Sequence, residues 1–265
     1  MTAKVYLVGA GPGDPELLTV KALRVLRTAD IVLHDGLISE EILQIARSTA
    51  QLIDVGKRVG KKRLTQDAIN RMLVELSGCA NIIVRLKGGD PSIFGRAAEE
   101  MSALREAGIE FEIVPGITAA TAAAAQAGIT LTDRKSAAGV VFLTAQQAAG
   151  KGRTNLARYA SQDCTLAIYM PSGHYREISD DLIAAGLRPD TPCLVIANAS
   201  RQNQELLWTN VLGLQSLVVP ESPALIIVGS VARSRDEVLA FNTIRTVEPL
   251  ASWRENAIPK ANGAQ

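Results

Sequence analysis

Val84-Arg85-Leu86-Lys87-Gly88-Gly89-Asp90-Pro91-Ser92-Ile93-Phe94-Gly95-Arg96 starts as an apolar run, breaks into paired glycines and leads into the alanine-rich stretch Ala97 to Ala107. Gly-Gly removes two Cβ atoms, so a ligand or another backbone can approach closely. Pro91 fixes its own φ and pushes Asp90 towards extended geometry, which holds the carboxylate in one direction. A strand, a bare turn and a helix, in that order, is how an open α/β sheet builds a ligand site at its strand ends. The same order also describes a tight strand-to-helix turn with no ligand, and this stretch alone does not separate the two.

The pattern repeats outward from it. Lys4 to Val8 is a short apolar run closed by Gly9-Ala10-Gly11-Pro12-Gly13-Asp14-Pro15, after which Ala22, Val25, Leu26 and Ala29 share a helical face with Thr19 as its N-cap. Ile31 to Leu33 is the next strand, ending at His34-Asp35-Gly36, and Ser39 caps a short helix through Ile42, Leu43 and Ala46. Leu52 to Val55 is followed by the basic loop Gly56 to Arg63, and Thr65 opens a helix with Ala68, Ile69, Met72, Leu73 and Leu76 inside. Asn81 to Leu86 and Phe111 to Val114 complete a β-α alternation that predicts a mostly parallel sheet covered by helices.

Pro115-Gly116-Ile117-Thr118 is the best boundary, because a rigid-flexible pair ends a strand and the nearly all-alanine helix Thr118 to Ala127 begins. Beyond it, Gly139 to Thr144, Thr165 to Tyr169, Pro192 to Ala197 and Ala224 to Val228 read as strands, with Gln204 to Trp208 an added antiparallel one. Ile178, Leu182, Ile183 and Ala185 form a helix face stopped by Gly186, while Gln146 to Thr154 reads as a mobile loop. The expected fold class is therefore α/β, as two domains with mostly parallel sheets and a ligand cleft between them. Residues 1–115 carry the substrate-side loops, residues 116–246 complete the cleft, and residues 247–265 are a polar, loose tail.

The 265 residues are 47% hydrophobic and 21% charged with a net charge of +1, so the whole chain has no nucleic-acid or membrane footprint. Cys79, Cys164 and Cys193 are far apart and form no CxxC, which argues against a disulfide framework or zinc and fits a reducing compartment. No charged-then-apolar leader precedes Val5, and no apolar run approaches the ~20 residues that span a bilayer, so a soluble cytoplasmic protein is expected. Neither His34 nor His174 has a metal-spaced partner, and no metal is expected. Gly9-x-Gly11 invites a dinucleotide reading, and Asp35 even mimics the ribose-binding acid. The spacing fails, however: Asp14 stands where the third glycine belongs, and Pro12 removes an amide that would face a pyrophosphate.

Val8-Gly-Ala-Gly-Pro-Gly-Asp14, Val84-Arg-Leu-Lys-Gly-Gly-Asp-Pro91, Phe94-Gly-Arg96, Val114-Pro-Gly-Ile-Thr118, Ile129-Thr-Leu-Thr-Asp-Arg134 and Pro223-Ala-Leu-Ile-Ile-Val-Gly229 occur in that order. Each is weak alone; as an ordered set from about Lys4 to Val238 they strongly resemble the tetrapyrrole (precorrin-type) methyltransferases. The resemblance implies two α/β domains, a homodimer, and S-adenosyl-L-methionine bound in the cleft, leaving S-adenosyl-L-homocysteine as product. It also implies C-methylation of a tetrapyrrole on the route to sirohaem and cobalamin. Uroporphyrinogen III, methylated twice to precorrin-2, is the single substrate it points to.

Carried over residue by residue, the resemblance places cofactor contacts at Pro12, Gly88, Gly89, Asp90, Ile93, Thr118, Ala119, Met170 and Ala199, the last where the family usually has glycine. It places the proton acceptor at Asp35 and the proton donor at Lys57. Arg96, Glu99 and Arg134 are the substrate candidates, because an acidic tetrapyrrole calls for guanidinium forks and its pyrrole N–H groups call for an acceptor. The bland roles stand beside these: Asp35 as a turn former, Lys57 as a solvated charge, Met170 as core filler. Four departures fall on the substrate side: Gly36 in place of an arginine, Ala97-Ala98 in place of Gly-Gly, Asp133 in place of a histidine, and Pro171-Ser172 in place of a glycine. They leave open methylation of a later precorrin, or a relative that binds the cofactor without turnover.

Overall fold

Five of the apolar runs pair side by side because each lies between turn residues and a helix that returns the chain to the same edge. β1 (Lys4–Gly9), β2 (Ile31–His34), β3 (Gln51–Asp54), β4 (Ile82–Lys87) and β5 (Phe111–Val114) form an all-parallel sheet in the order β3-β2-β4-β1-β5. The computed structural model describes residues 3–56, 64–146, 154–161, 163–218 and 223–233, and Met1–Ala232 is one compact unit. The basic loop 57–63, most of the Gln146 to Thr154 loop and the 247–265 tail lie outside the described residues.

Alternation along the strands sends neighbouring residues to opposite cores. Leu7, Leu33 and Ile83 meet Ile69 and Leu73 of α3 (Gln66–Leu76) and Leu104 of α4 (Ala97–Glu106). Val8, Val32 and Val84 meet Val25 and Leu26 of α1 (Val20–Thr28) and Ile42 of α2 (Glu40–Leu43). Thr19 and Thr65 cap as expected, their Oγ1 accepting from Ala22 N at 3.1 Å and Ala68 N at 3.2 Å. Ser39 stands at an N-cap but does not cap with its side chain: its hydroxyl donates to Gly13 O at 3.0 Å and ties α2 to the β1–α1 loop.

β6 (Gly139–Thr144), β7 (Cys164–Tyr169), β8 (Pro192–Ala197), β9 (Glu205–Asn210) and β10 (Ala224–Val228) form the second sheet, in the order β6-β7-β10-β8-β9. β6–β7 is parallel, whereas β10 lies antiparallel between β7 and β8, and β9 is antiparallel to β8 at the edge, as expected for that run. Parallel pairings still predominate across the two sheets, and the antiparallel ones are gathered in the second. One face is covered by Tyr175, Ile178 and Leu182 of α6 (Tyr175–Ala184). Ala120, Ala123 and Ala124 of α5 (Ala119–Ala127) lie against Ala167, Leu194, Ile196, Leu225 and Ile227 on the other, where methyl-sized side chains let helix and sheet approach closely.

Three main chains cross where these elements meet. A Cβ on Gly9 would lie 2.6 Å from Gly116 Cα and 2.7 Å from Gly89 O, distances no side chain tolerates. The β4–α4 turn is pinned at this crossing by Gly89 N to Gly11 O at 2.8 Å and Gly11 N to Gly89 O at 3.2 Å. Gly89 needs its positive φ of 68°, open to glycine without strain. Asp90 Oδ2 accepts from Gly116 N at 2.9 Å and closes the crossing from the far side.

At the opposite strand ends, Asp30 joins β2 to β4: its Oδ2 accepts from Asn81 N at 2.9 Å and Ile82 N at 2.8 Å, and Arg47 pairs with its other oxygen. The Ile82 amide, with Asn81 and Arg47, holds the Asp30 carboxyl below its ordinary 3.8 against the opposing effect of desolvation. Asp30→Ala is expected to cost about 1–2 kcal/mol in thermal or urea unfolding at pH 7. Because Asp30 is the stronger acid when folded, its contribution is complete above about pH 4 and fades as pH falls through the lower folded-state pKa. The difference between variant and wild type should shrink towards pH 3, and an undiminished difference there contradicts the assignment. Gly9→Ala should lower stability by about 1–3 kcal/mol through forced backbone shifts; an unchanged unfolding midpoint refutes the crossing.

Candidate active site

The carboxyl ends of β1, β2 and β4 open onto one set of loops, the place where α/β sheets bind ligands. Gly88 is exposed, and a Cβ built on it meets nothing within 4 Å, so its bare main chain faces open space. The next residue is close to the second half of the chain: a Cβ on Gly89 would lie 3.8 Å from Thr118 Cα and 4.0 Å from Ala119 N. The structure thus brings Gly88, Gly89, Asp90, Thr118 and Ala119 together. Pro12 sits between Gly11 (φ 70°) and Gly13 (φ 156°), and the β1–α1 and β2–α2 loops are tied to the loop that follows β8. There Asp14 N donates to Ser200 Oγ at 3.3 Å, and Arg201 Nη2 donates to Leu37 O at 2.5 Å. Ala199 is buried beside these contacts, between Asn198 (φ 51°) and Ser200 (φ 60°).

Strained backbone marks this region. Phe94, Arg96, Met170, Ser172, Asn198 and Ser200 are the positive-φ residues other than glycine among those described, and all follow the carboxyl ends of β4, β7 or β8. Such conformations cost of order 1–3 kcal/mol each and cluster at functional sites. Ile93 is half-buried on the β4–α4 loop, and Met170 is 42% exposed, so Met170 is not core filler.

Tyr169, which the sequence reading passed over, joins three elements. Its hydroxyl shares a 2.7 Å hydrogen bond with Thr118 Oγ1 and accepts from Ala120 N at 3.1 Å. Its ring lies 5.1 Å from Phe94 and 6.0 Å from Phe142. Burial pushes its phenol pKa up, with the Thr118 and Ala120 bonds opposing. Asp90 turns out to be occupied: besides Gly116 N, it accepts from Ser92 N at 2.8 Å and from the Ser92 hydroxyl. These bonds staple the loop, and Gly88, two residues earlier, is its exposed part.

Asp35 follows β2 with its side chain 34% exposed, and Arg85 Nη2 donates to its Oδ1. Arg85 Nε donates in turn to Glu100 Oε1 at 2.9 Å, and Lys87 Nζ lies 2.9 Å from both oxygens of Glu100. Gln66 Nε2 donates to Glu100 Oε1 at 3.2 Å. Glu100 is completely buried, and Arg85 and Lys87 are each 2% exposed. Burial works to lower the Arg85 pKa, but the charges of Asp35 and Glu100 outweigh it and the net shift is upward. For Lys87, burial and the neighbouring Arg85 outweigh Glu100, and the shift is downward. The signal for this cluster was present in Arg85-Leu86-Lys87: two charges at i and i+2 of a buried strand share a face and need a counter-charge.

Lys57 lies outside the described residues; Gly56 before it packs its main chain against Gly36, next to Asp35. Arg96 and Glu99 do come together, Nε to Oε1 at 2.7 Å and Nη2 to Oε2 at 2.6 Å. That fork raises the arginine pKa and lowers the glutamate pKa. The anion that offsets Arg96 at the start of α4 is therefore Glu99 itself. Arg134 is exposed in a turn that Asp133 builds, its Oδ1 accepting from Lys135 N at 2.9 Å and Ser136 Oγ at 3.0 Å. Among the described residues no cluster of His, Cys, Asp and Glu could hold a metal ion, and no helix is long and apolar enough to cross a membrane.

Comparison with known proteins identifies this arrangement. A family model of the tetrapyrrole (corrin/porphyrin) methylases matches residues 4–214. The solved uroporphyrin-III C-methyltransferase of Thermus thermophilus, complexed with S-adenosyl homocysteine, is 36% identical with a TM-score of 0.77, covering 87% of this chain and 94% of that one. A solved cobalt precorrin-4 methyltransferase, a cobalamin biosynthetic enzyme, is 29% identical with a TM-score of 0.77 over 87% of this chain and 96% of its own. Siroheme synthase 1 of Klebsiella pneumoniae is 42% identical over 248 residues, which are 93% of this chain and 53% of the relative. The siroheme synthase of Zymomonas mobilis is 45% identical over 242 residues, 91% of this chain and 51% of the relative. The chain thus spans about half the length of these curated relatives. With the family model spanning the whole first sheet and all of the second but β10, the chain belongs to the tetrapyrrole (corrin/porphyrin) methylases.

Proposed function

We propose that this chain is an S-adenosylmethionine-dependent C-methyltransferase that methylates uroporphyrinogen III twice, to precorrin-2, on the route to sirohaem and cobalamin. The observation that carries the reading is the open main chain of Gly88, set beside Thr118 and Ala119 in a chain 36% identical to a methyltransferase complexed with S-adenosyl homocysteine. The residues fit such a cofactor. A backbone free of side chains admits a bulky ligand closely, and the exposed Met170 and the Pro12 turn flank the same loops. In this reading Pro12, Gly88, Gly89, Asp90, Ile93, Thr118, Ala119, Met170 and Ala199 line the cofactor, and the Asp90 carboxylate also holds the loop in place.

When bound, S-adenosylmethionine supplies a methyl group already activated by its sulfonium. The chain's own contribution is orientation and charge. Asp35 points its carboxylate from the end of β2 towards the cationic pyrrole and accepts the proton that leaves it. Lys57 is proposed as the proton donor on the likeness alone. Arg96 takes a substrate carboxylate and Glu99 a pyrrole N–H by exchanging their mutual fork for substrate, and Arg134 adds a second guanidinium from the turn at Asp133. The division into domains at residues 1–115 and 116–246, the homodimer and the cytoplasmic location belong to the same reading.

Incubation with uroporphyrinogen III and S-adenosylmethionine, followed by product mass, tests it directly. Two added methyl groups are expected, and Asp35→Asn should lower kcat about a hundredfold or more while binding of S-adenosyl homocysteine is retained. Methylation confined to a later precorrin corrects the substrate. Cofactor binding without turnover on any tetrapyrrole contradicts the enzyme reading.

A further inference from the structure

We infer that Glu100 is a positioning residue for Asp35, acting through Arg85: one face of β4 carries a buried ionic relay, Lys87–Glu100–Arg85–Asp35, that aims the carboxylate at the end of β2. The inference rests on the proposed methyl-transfer reading for what Asp35 does, and on geometry alone for how Asp35 is held. Arg85 divides its guanidinium between two carboxylates, Nε donating to Glu100 Oε1 at 2.9 Å and Nη2 to Asp35 Oδ1. Its Nη1 donates to Leu86 O at 3.2 Å, so the fork is held from β4's own backbone as well. Lys87 fixes Glu100 from the other side through both carboxylate oxygens, and Gln66 of α3 adds a third donor. Two cations face two carboxylates, and the set balances only with Asp35 included.

Stability does not explain this arrangement. Ionised groups taken from water are rarely better than well-packed apolar side chains of the same volume, and replacing a whole buried ionic set is often neutral or stabilising. The surrounding core is apolar, with Ile83 of β4 and Leu104 of α4 on the same face, and would accept such side chains. What an apolar set cannot do is hold Asp35 in one direction. Asp35 is the member of the relay that is partly exposed, at the strand end where the bare Gly88 also lies. Arginine is required at the centre because its rigid fork reaches both carboxylates at once, whereas an ammonium is a point charge.

The test replaces the relay as a whole. Arg85→Met/Lys87→Met/Glu100→Leu is expected to fold, to unfold at or above the wild-type temperature, and to bind S-adenosyl homocysteine within about twofold of wild type by calorimetry. Its kcat should fall about a hundredfold with KM for the tetrapyrrole little changed, the size expected for a misdirected reacting group. Retained kcat overturns the inference, and so does a loss of cofactor affinity that accounts for the loss of rate, because the relay would then merely support the Gly88 loop. Should the triple variant not fold, Arg85→Lys, which keeps the buried charge without the fork, must show the same fall in kcat at unchanged KM, and full activity there is equally fatal. A crystal structure of whichever variant folds decides the geometry without reference to turnover: Asp35 should lose its single orientation, and an unmoved carboxylate overturns the relay. If the wild-type chain itself methylates no tetrapyrrole, the functional reading fails, and the structure of the variant still decides the relay.

Discussion

The crossing of Gly9, Gly89 and Gly116 is the constraint on which the rest of the molecule depends. Three main chains pass within distances that exclude any side chain, so the end of β1, the β4–α4 turn and the β5–α5 turn are locked to one another. The paired bonds between Gly11 and Gly89, and the Asp90 carboxylate on Gly116 N, hold that lock from two sides. The last of these turns is also where the chain leaves the first sheet for α5, so the same contact that closes the strand ends directs the second sheet. Leaving Gly88 bare and outward is possible because Gly89, one residue on, supplies the close approach.

β4 carries the other half of the design. Its alternation places Val84 and Leu86 against α1 and α2, and Arg85 and Lys87 on the face of α3 and α4. A single strand therefore delivers the glycine loop at its end and an ionic set beneath it, with Glu100 of α4 as the counter-charge. Tyr169 performs the matching task from the second sheet, binding the start of α5 through its hydroxyl and packing on Phe94 of the β4–α4 loop. The two sheets meet through hydrogen bonds and an aromatic contact, and several residues on the facing loops accept positive φ to make the fit.

Much of the first sheet was legible because each of its strands is a continuous apolar run between a turn signal and an amphipathic helix, and tertiary packing follows those periods. The second sheet was less so: β10 inserts between β7 and β8, a neighbourhood that no local pattern announces. At the site, the glycines at 88 and 89 declared themselves, since nothing but close approach or strained backbone calls for two in succession. The bond from Asp90 to Gly116, 26 residues away, could not be read from the local sequence. Ser39 looked like a cap and is instead a tie to Gly13. Arg85 and Lys87 carried the signal of a charged pair on a buried strand, but their counter-charge Glu100 comes from another element and no local pattern names it. Lys57 falls outside the described residues, so its part rests on likeness.

In the proposed function, the glycine crossing presents the Gly88 main chain to S-adenosylmethionine. The crystal structure of this chain with S-adenosyl homocysteine tests it most directly. The ligand is expected against Gly88 and Gly89 on one side and Thr118 and Ala119 on the other, with the Gly9–Gly89–Gly116 contacts unchanged. A ligand bound away from these strand ends, or a crossing that opens to admit it, would contradict the account.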